Sequence, residues 1–473
     1  MTGKSDRYKR LFSNTLILGL GTLGSKLLTF LLTRLYTGYL SPGEYGVLDL
    51  IIQSVNLLIP LVSLGMNTAV LRFAMDGETD RTTVLSTGLV VDLCGFGGLL
   101  LLFPLISRIP DIGDYSLWMY LYIFCSLIHY LFAYFVKTLQ KVRLFAIASL
   151  IGTAATLLLD ILFIAVLQIG VVGYILAIVL ADLLQILILF FAAKLYTYIR
   201  LDSIRKKVTA AMLKYSIPLI PTTALWWVTD ASDRFMVTNM ISESANGLYA
   251  AAYKVPNLLI LISGVFMDAW HMSILTEKSA LERQTFFSKI FSMYQSIIFV
   301  CSSGLILCSK LVTSILVAPE YYDSWQYMPT LVVAMAISNM VSFIGTIYTV
   351  EKRTQSALWT TVMGTVVNLV GNFILIKQFG VHGAALSTAI SYAFVLALRS
   401  IHTRRWIAVK WDLPRFTLSA ALIIIQCVVM VFEVPYWQAI ETAMLLVVLL
   451  LHWKPLLAAV GQIIGKRGRK DAA

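Results

Sequence analysis

Residues 171–196 read VVGYILAIVLADLLQILILFFAAKLY, and this stretch decides the fold. Asp182, Gln185 and Lys194 are its only strongly polar side chains. Coiled as a helix at 1.5 Å per residue it measures roughly 39 Å, enough to cross a hydrocarbon core of about 30 Å. Outward from it in both directions, apolar runs of similar length recur along the chain. They lack the in–out alternation of membrane barrel strands, so helices are the remaining way to satisfy the backbone inside lipid.

Composition leads to the same class. Of 473 residues, 59% are hydrophobic and only 13% charged, about half the charged share of an ordinary soluble domain; mean hydropathy is +0.82. The chain therefore reads as an all-α polytopic membrane protein with about fourteen transmembrane helices. The spans fall near residues 11–35, 46–70, 83–106, 116–136, 144–167, 171–196, 213–240, 247–274, 286–308, 326–349, 356–376, 383–403, 416–432 and 436–453, numbered 1 to 14 below. Lys4, Arg7, Lys9 and Arg10 precede the first run, which is too long for a signal peptide and lacks a small-residue cleavage site. It reads as an uncleaved span.

The net charge of +12 does not indicate a nucleic-acid partner, because the bases sit in short loops between apolar runs. Lys137, Lys141 and Arg143, the group from Lys194 to Lys214, the group Arg399, Arg404, Arg405, Lys410 and Arg415, and the tail Lys466 to Lys470 share one side. Glu44, Asp111, Asp114, Glu243, Glu320, Asp323 and Glu433 share the other. This bias predicts a cell-membrane protein with both termini cytoplasmic. The acidic segment 76–81 stands outside the pattern. The five cysteines all lie in apolar stretches and form no CxxC, so they read as core filler rather than a metal or disulfide framework.

The chain also repeats itself at an offset of about 201–210 residues. Leu40-Ser41 with Tyr45-Gly46-Val47 is echoed by Ile241-Ser242 with Asn246-Gly247-Leu248, and Gly170-Val171-Val172-Gly173 by Gly380-Val381-His382-Gly383. An offset of six helices gives two halves of like orientation, an arrangement that usually places a site at the bilayer midplane. The domains expected are residues 1–200 (spans 1–6), 201–410 (spans 7–12), and 411–473, which carries spans 13–14 and a basic tail.

Polar side chains within spans are costly, so their placement is informative. In span 2, Asp49, Gln53, Asn56, Pro60, Ser63 and Asn67 follow steps of four and three, one stripe on a helix. Thr22, Lys26, Thr29 and Thr33 do the same in span 1, with Arg34 beside them; so do Ser216, Thr223, Trp227, Asp230 and Arg234 in span 7. Span 8 carries Lys254, Asn257, Gly264, Asp268 and His271. These are the first two helices of each half, and they are expected to line a shared cavity. The competing explanation, interhelical hydrogen bonding, is about even for Ser, Thr and Asn. It is weaker for Lys26, Arg72, Lys254, Asp230 and Asp268, whose charges cost more to bury, while Asp233–Arg234 with Asp230 could be a structural ion pair.

Asp92, Asp160 and Asp182 are isolated membrane carboxylates that could bind H⁺ or Na⁺, although pairing with a neighbouring helix is favoured. Thr361, Thr365, Asn368 and Asn372 form a stripe in span 11 for which interhelical bonding is favoured. Neither a phosphate-binding loop, an HExxH nor a GxSxG motif is present, so no catalytic role, metal or cofactor is expected.

Several stretches carry a family resemblance. Leu27-Leu28-Thr29-Phe30, Thr33-Arg34-Leu35 and Leu40-Ser41-Pro42-Gly43-Glu44-Tyr45-Gly46 resemble the opening of polysaccharide biosynthesis proteins, the O-antigen and teichoic-acid type flippases of the multidrug/oligosaccharidyl-lipid/polysaccharide superfamily. Residues 65–72, Tyr215-Ser216-Ile217-Pro218, Asp233-Arg234, Gly247-Leu248-Tyr249-Ala250 and the run from Asn368 to Thr388 resemble its later helices, so the match spans roughly 10–400. The resemblance implies two six-helix lobes around a central cavity, plus two extra helices, and an undecaprenyl-(pyro)phosphate-linked glycan moved between leaflets. It implies cationic cavity residues, with Arg34, Asp49 and Arg72 near the relevant positions and Lys254 standing where the related lipid II flippases have arginine. Membrane lipid, and a polysaccharide polymerase or glycosyltransferases, are the partners it suggests. Two other classes remain open: a cation-coupled exporter of small amphipathic cations, and a non-transporting scaffold for glycan assembly.

Overall fold

The computed structural model describes residues 32–76, 79–274, 280–351 and 353–468, and every regular element among them is helical. Ten of these helices are long and apolar enough to cross a membrane. Spans 2 to 14 each appear as a helix or as a helix with a break; span 1 lies outside the described residues except for its last turns. The chain divides into two compact units, Met1–Ala231 and Ser232–Ala473, the division falling inside the helix Ile220–Met240.

The repeat is visible in backbone detail. Ser41 caps the helix Pro42–Val62, its hydroxyl accepting from the Glu44 N–H while the Glu44 carboxylate accepts from the Ser41 N–H, a capping box. Ser242 makes the hydroxyl half of the same cap on Glu243–Tyr253, accepting from the Ala245 N–H at 3.1 Å, with alanine where Glu44 closes the box. Gly170 (φ 66°, ψ −138°) and Gly380 (φ 58°, ψ −138°) precede helices of equal length, Val171–Ala192 and Val381–His402. Only glycine enters that region of backbone space without strain, so the same residue recurs where the same hairpin is needed.

Three of the spans that carry polar stripes, spans 2, 7 and 8, are broken. Span 2 stops at Val62 and restarts at Met66, with Leu64 (φ 49°) and Gly65 (φ 66°) left-handed between. The Gly65 N–H reaches back to the Pro60 carbonyl at 3.1 Å and the Leu64 N–H to Leu61 at 3.2 Å, which closes the helix end. The stripe read as continuous from Asp49 to Asn67 is therefore interrupted, and Asn67 sits on the second segment. Span 7 begins at Lys206 and passes through a tight turn at Ile217–Leu219, where Pro218 and Pro221 withhold backbone donors. Span 8 breaks at residues 254–256, just after Glu243–Tyr253, with Pro256 ending the gap.

Unit 1 packs around Val70, Val84, Leu131, Phe135 and Leu189, all fully or almost fully buried. In the second unit Phe343 stacks on Trp270 (4.9 Å) and Tyr294 (5.2 Å). The helices Leu413–Val431 and Trp437–Gly468, outside the repeat, pack on Ala280–Leu307. Buried His452 bridges the hydroxyls of Ser296 and Ser419, 2.8 Å from each ring nitrogen, and Gln426 donates to Glu441 at 2.8 Å. Such bonds in lipid are each worth about 1 kcal/mol.

Candidate functional site

Span 2 positions three of the predicted site residues at different depths. Asp49 is buried, Gln53 half-buried and Asn56 exposed, as expected when a helix presents one edge rather than one face to open space. The indole N–H of Trp227 donates to the Gln53 carbonyl at 2.7 Å, tying span 7 to span 2. Phe73 and Tyr215 meet edge to face at 6.1 Å in the same unit. Arg34 is exposed near the end of span 1, and Lys26 lies outside the described residues.

Arg72 is exposed on Met66–Asp76 and pairs with Asp76 at 3.3 Å, one helical turn away. Asp80 caps the next helix, accepting from the Thr83 N–H. The acidic segment that departs from the loop-charge pattern thus has local work: one carboxylate holds a base, another a helix start.

In the second unit Asp233 is fully buried and accepts from the Tyr249 hydroxyl (2.7 Å), the Tyr253 hydroxyl (3.0 Å) and the Arg234 backbone N–H (2.9 Å). The Arg234 guanidinium lies over the Tyr253 ring at 4.6 Å. Three donors and an adjacent cation satisfy a carboxylate that lipid could not. The side chains of Asp230 and Asp268 lie outside the described residues. Lys254, half-buried, ends Glu243–Tyr253, and Asn257 is exposed at the start of Asn257–Ile274.

The isolated carboxylates behave mostly as pairing predicts. Tyr36 donates to Asp160 at 2.7 Å, while Asp182 holds the Ser126 hydroxyl at 2.5 Å and His129 Nδ1 at 2.8 Å. Asp92 is buried with neither oxygen partnered among the described residues. Span 11 also bonds across helices: Asn368 donates to Thr388 at 3.3 Å and accepts through its carbonyl from Ser387 at 2.9 Å.

Residues 11–270 match the polysaccharide biosynthesis protein family, more than half of the chain. The chain belongs to that family. A curated relative of this polysaccharide biosynthesis protein is the "Probable low-salt glycan biosynthesis flippase Agl15" of Haloferax volcanii, 25% identical over 175 residues, or 36% of this chain. The alignment spans 37% of that relative's length. Among solved structures, "Lipid II flippase MurJ, inward closed conformation" superposes with a TM-score of 0.69 at 14% identity, covering 94% of this chain and 99% of its own. An inward-facing multidrug resistance MATE family transporter of the MOP superfamily gives 0.68 at 14% identity, covering 80% and 95%. At that identity the likeness establishes the fold alone: a multi-pass bundle of membrane-length helices.

One buried group of this family member escapes a reading of its loops. Arg399, assigned with the cytoplasmic bases, is 3% exposed within Val381–His402. Its guanidinium donates to Thr360 (3.1 Å), Thr361 (3.0 Å) and the Val341 carbonyl (3.1 Å), stitching three helices together. The available signal was its distance from the helix start: it lies nineteen residues past Gly380, one turn short of Arg404 and Arg405.

Proposed function

We propose that this protein is a flippase that moves an undecaprenyl-(pyro)phosphate-linked oligosaccharide or polysaccharide repeat unit from the cytoplasmic to the outer leaflet by alternating access. The observation that carries it is the family match over residues 11–270; the glycan-flippase relative and the lipid II flippase fold support it. A lipid-linked glycan needs a polar groove for its head and cations for its phosphates, while its tail stays in the bilayer. Arg34, Arg72, Arg234, Lys254 and Lys26 are assigned to head-group and phosphate contact, with Asp49, Gln53, Asn56, Trp227, Asp230, Asn257 and Asp268 around them. Both termini lie in the cytoplasm, and lobes 1–200 and 201–410 carry the cycle. A polymerase or glycosyltransferases act before and after it, and the protein itself makes and breaks no covalent bond.

Mass spectrometry of lipid extracts from cells depleted of the protein tests this. A lipid-linked glycan precursor should accumulate while surface glycan falls. Unchanged precursor and intact surface glycan would sink the reading. A second reading, cation-coupled export of amphipathic cations, draws on buried Asp92, Asp160 and Asp182 and on the MATE-type fold. Dye efflux lost on Asp160→Asn, with precursor unchanged on depletion, would favour it.

A further inference from the structure

At the break in span 2 the first unit has a half-open cavity of about 270 Å³. Ser63, Asn67 and Thr68 line it from either side of the break, facing Tyr130 and Tyr134. Those tyrosines lie four residues apart on Ser116–Thr138 and so share one face. Ile59, Pro60, Leu219 and Ile220 complete the wall.

A helix interrupted at membrane depth is tolerated where the freed backbone is buried in protein or borders a polar cavity. Both conditions meet here. A Cβ added at Gly65 would come within 3.3 Å of the Ser216 carbonyl oxygen, so the break in span 2 rests directly against the turn in span 7. The Asn67 Oδ1 has no hydrogen-bond partner among the described residues, an unmet acceptor beside the cavity.

The lining selects the ligand's chemistry. None of its side chains is charged at neutral pH, so a phosphate would meet no cation in the wall and a cation no carboxylate, and neither charge would be neutralised there. Lys137 lies over the Tyr134 ring at 4.7 Å but is not part of the wall. The volume falls just under the roughly 300–1,000 Å³ of drug-sized sites, room inside for about one ring. Aromatic faces beside a primary amide and hydroxyls, over an apolar floor, match a ring with a C–H face and a hydroxyl edge. We propose that this cavity is a specificity subsite for a single uncharged sugar ring, with Asn67 and Thr68 bonding its hydroxyls and Tyr130 and Tyr134 packing on its C–H face.

The assignment rests on the flippase reading for why a sugar is presented there, but it can be tested apart from it. Full-length protein in lipid nanodiscs is titrated with a panel of neutral methyl glycosides (gluco, galacto, manno, rhamno and N-acetylglucosamine forms), followed by saturation-transfer NMR. At least one glycoside should bind saturably, with transfer strongest to its ring C–H protons. Asn67→Leu should weaken it about five- to tenfold, the loss of one neutral hydrogen bond. Tyr134→Phe should bind as the native protein does and Tyr134→Ala should not, which separates ring packing from misfolding. Binding by no glycoside, binding indifferent to Asn67→Leu and Tyr134→Ala, or displacement by glycerol phosphate as effective as by a second glycoside would each overturn the proposal. Precursor build-up on depletion without glycoside binding removes the subsite and leaves the flippase; glycoside binding without precursor build-up does the reverse.

Discussion

Leu189 and Arg399 hold the same place in two copies of one hairpin, each nineteen residues after the glycine that opens its helix. Both are buried, at 1% and 3% exposure. In the first unit the position is plain core, packed with Leu131 and Phe135; in the second it is a guanidinium spread over two threonine hydroxyls and a carbonyl. Twelve residues after each glycine the order inverts: Asp182, bonded by Ser126 and His129, answers to Tyr392. The repeated features, the serine caps and the φ-positive glycines, are those that backbone geometry demands. The buried charges differ because each was satisfied locally by partners the other half does not possess.

Exchanging the two residues tests this most severely. Leu189→Arg places a cation in a core whose neighbours are aliphatic and aromatic, with no acceptor set like that of Thr360 and Thr361. The expected outcome is loss of folded protein from the membrane fraction, read by size-exclusion chromatography of a fluorescent fusion, because an unpaired buried charge is among the costliest single changes. Arg399→Leu should fold but lose about 1–3 kcal/mol, since the Val341 carbonyl is left unpaired and Thr360 and Thr361 keep only their bonds to Ala357. Thermal unfolding in detergent measures it. Arg399→Lys should recover only part, because one ammonium cannot span the fork. Native stability in Arg399→Leu would show that the two halves are interchangeable here after all.

Much of this architecture was legible beforehand because hydropathy and helical periodicity are local. Of the fourteen spans that run length places, thirteen carry a helix among the described residues, and the interhelical bonding favoured for the Asn368 stripe is what Asn368 makes, to Thr388. What escaped was decided by contacts distant in sequence. The break at 63–65 was masked because the polar spacing of span 2 continues through it, although Pro60 and Gly65 were both visible. Arg399 reads with Arg404 and Arg405 because its acceptors sit on other helices. Of the candidate site, residue types and helices were readable. Which partner each acid takes was not: Asp76 with Arg72, and Asp233 with two tyrosine hydroxyls, needed the folded chain.

Smaller changes should affect the two halves alike. Gly170→Ala and Gly380→Ala each force a Cβ into backbone space that side chains avoid, at about 1–3 kcal/mol. Similar losses in thermal unfolding are expected from both, and their double variant should show the sum, since the sites lie in separate units. A loss in one half alone would mean that the two hairpins, though alike in sequence, are not held by the same strain.

The smallest effect sharpens the contrast between two arginines. Arg72 and Asp76 pair at 3.3 Å with side chains 61% and 43% exposed, against 3% for Arg399. An exposed pair one turn apart contributes about 0–1 kcal/mol and is screened by salt, so Asp76→Asn should scarcely move thermal unfolding. Its consequence should instead be functional. If Arg72 contacts an anionic head group, Asp76 competes for the same guanidinium. Asp76→Asn should then leave glycan export intact or raise it, while Arg72→Gln lowers export and lets precursor accumulate at unchanged stability. Equal losses of stability in both variants would make the pair a structural clasp like that of Arg399, and Arg72 would leave the head-group site.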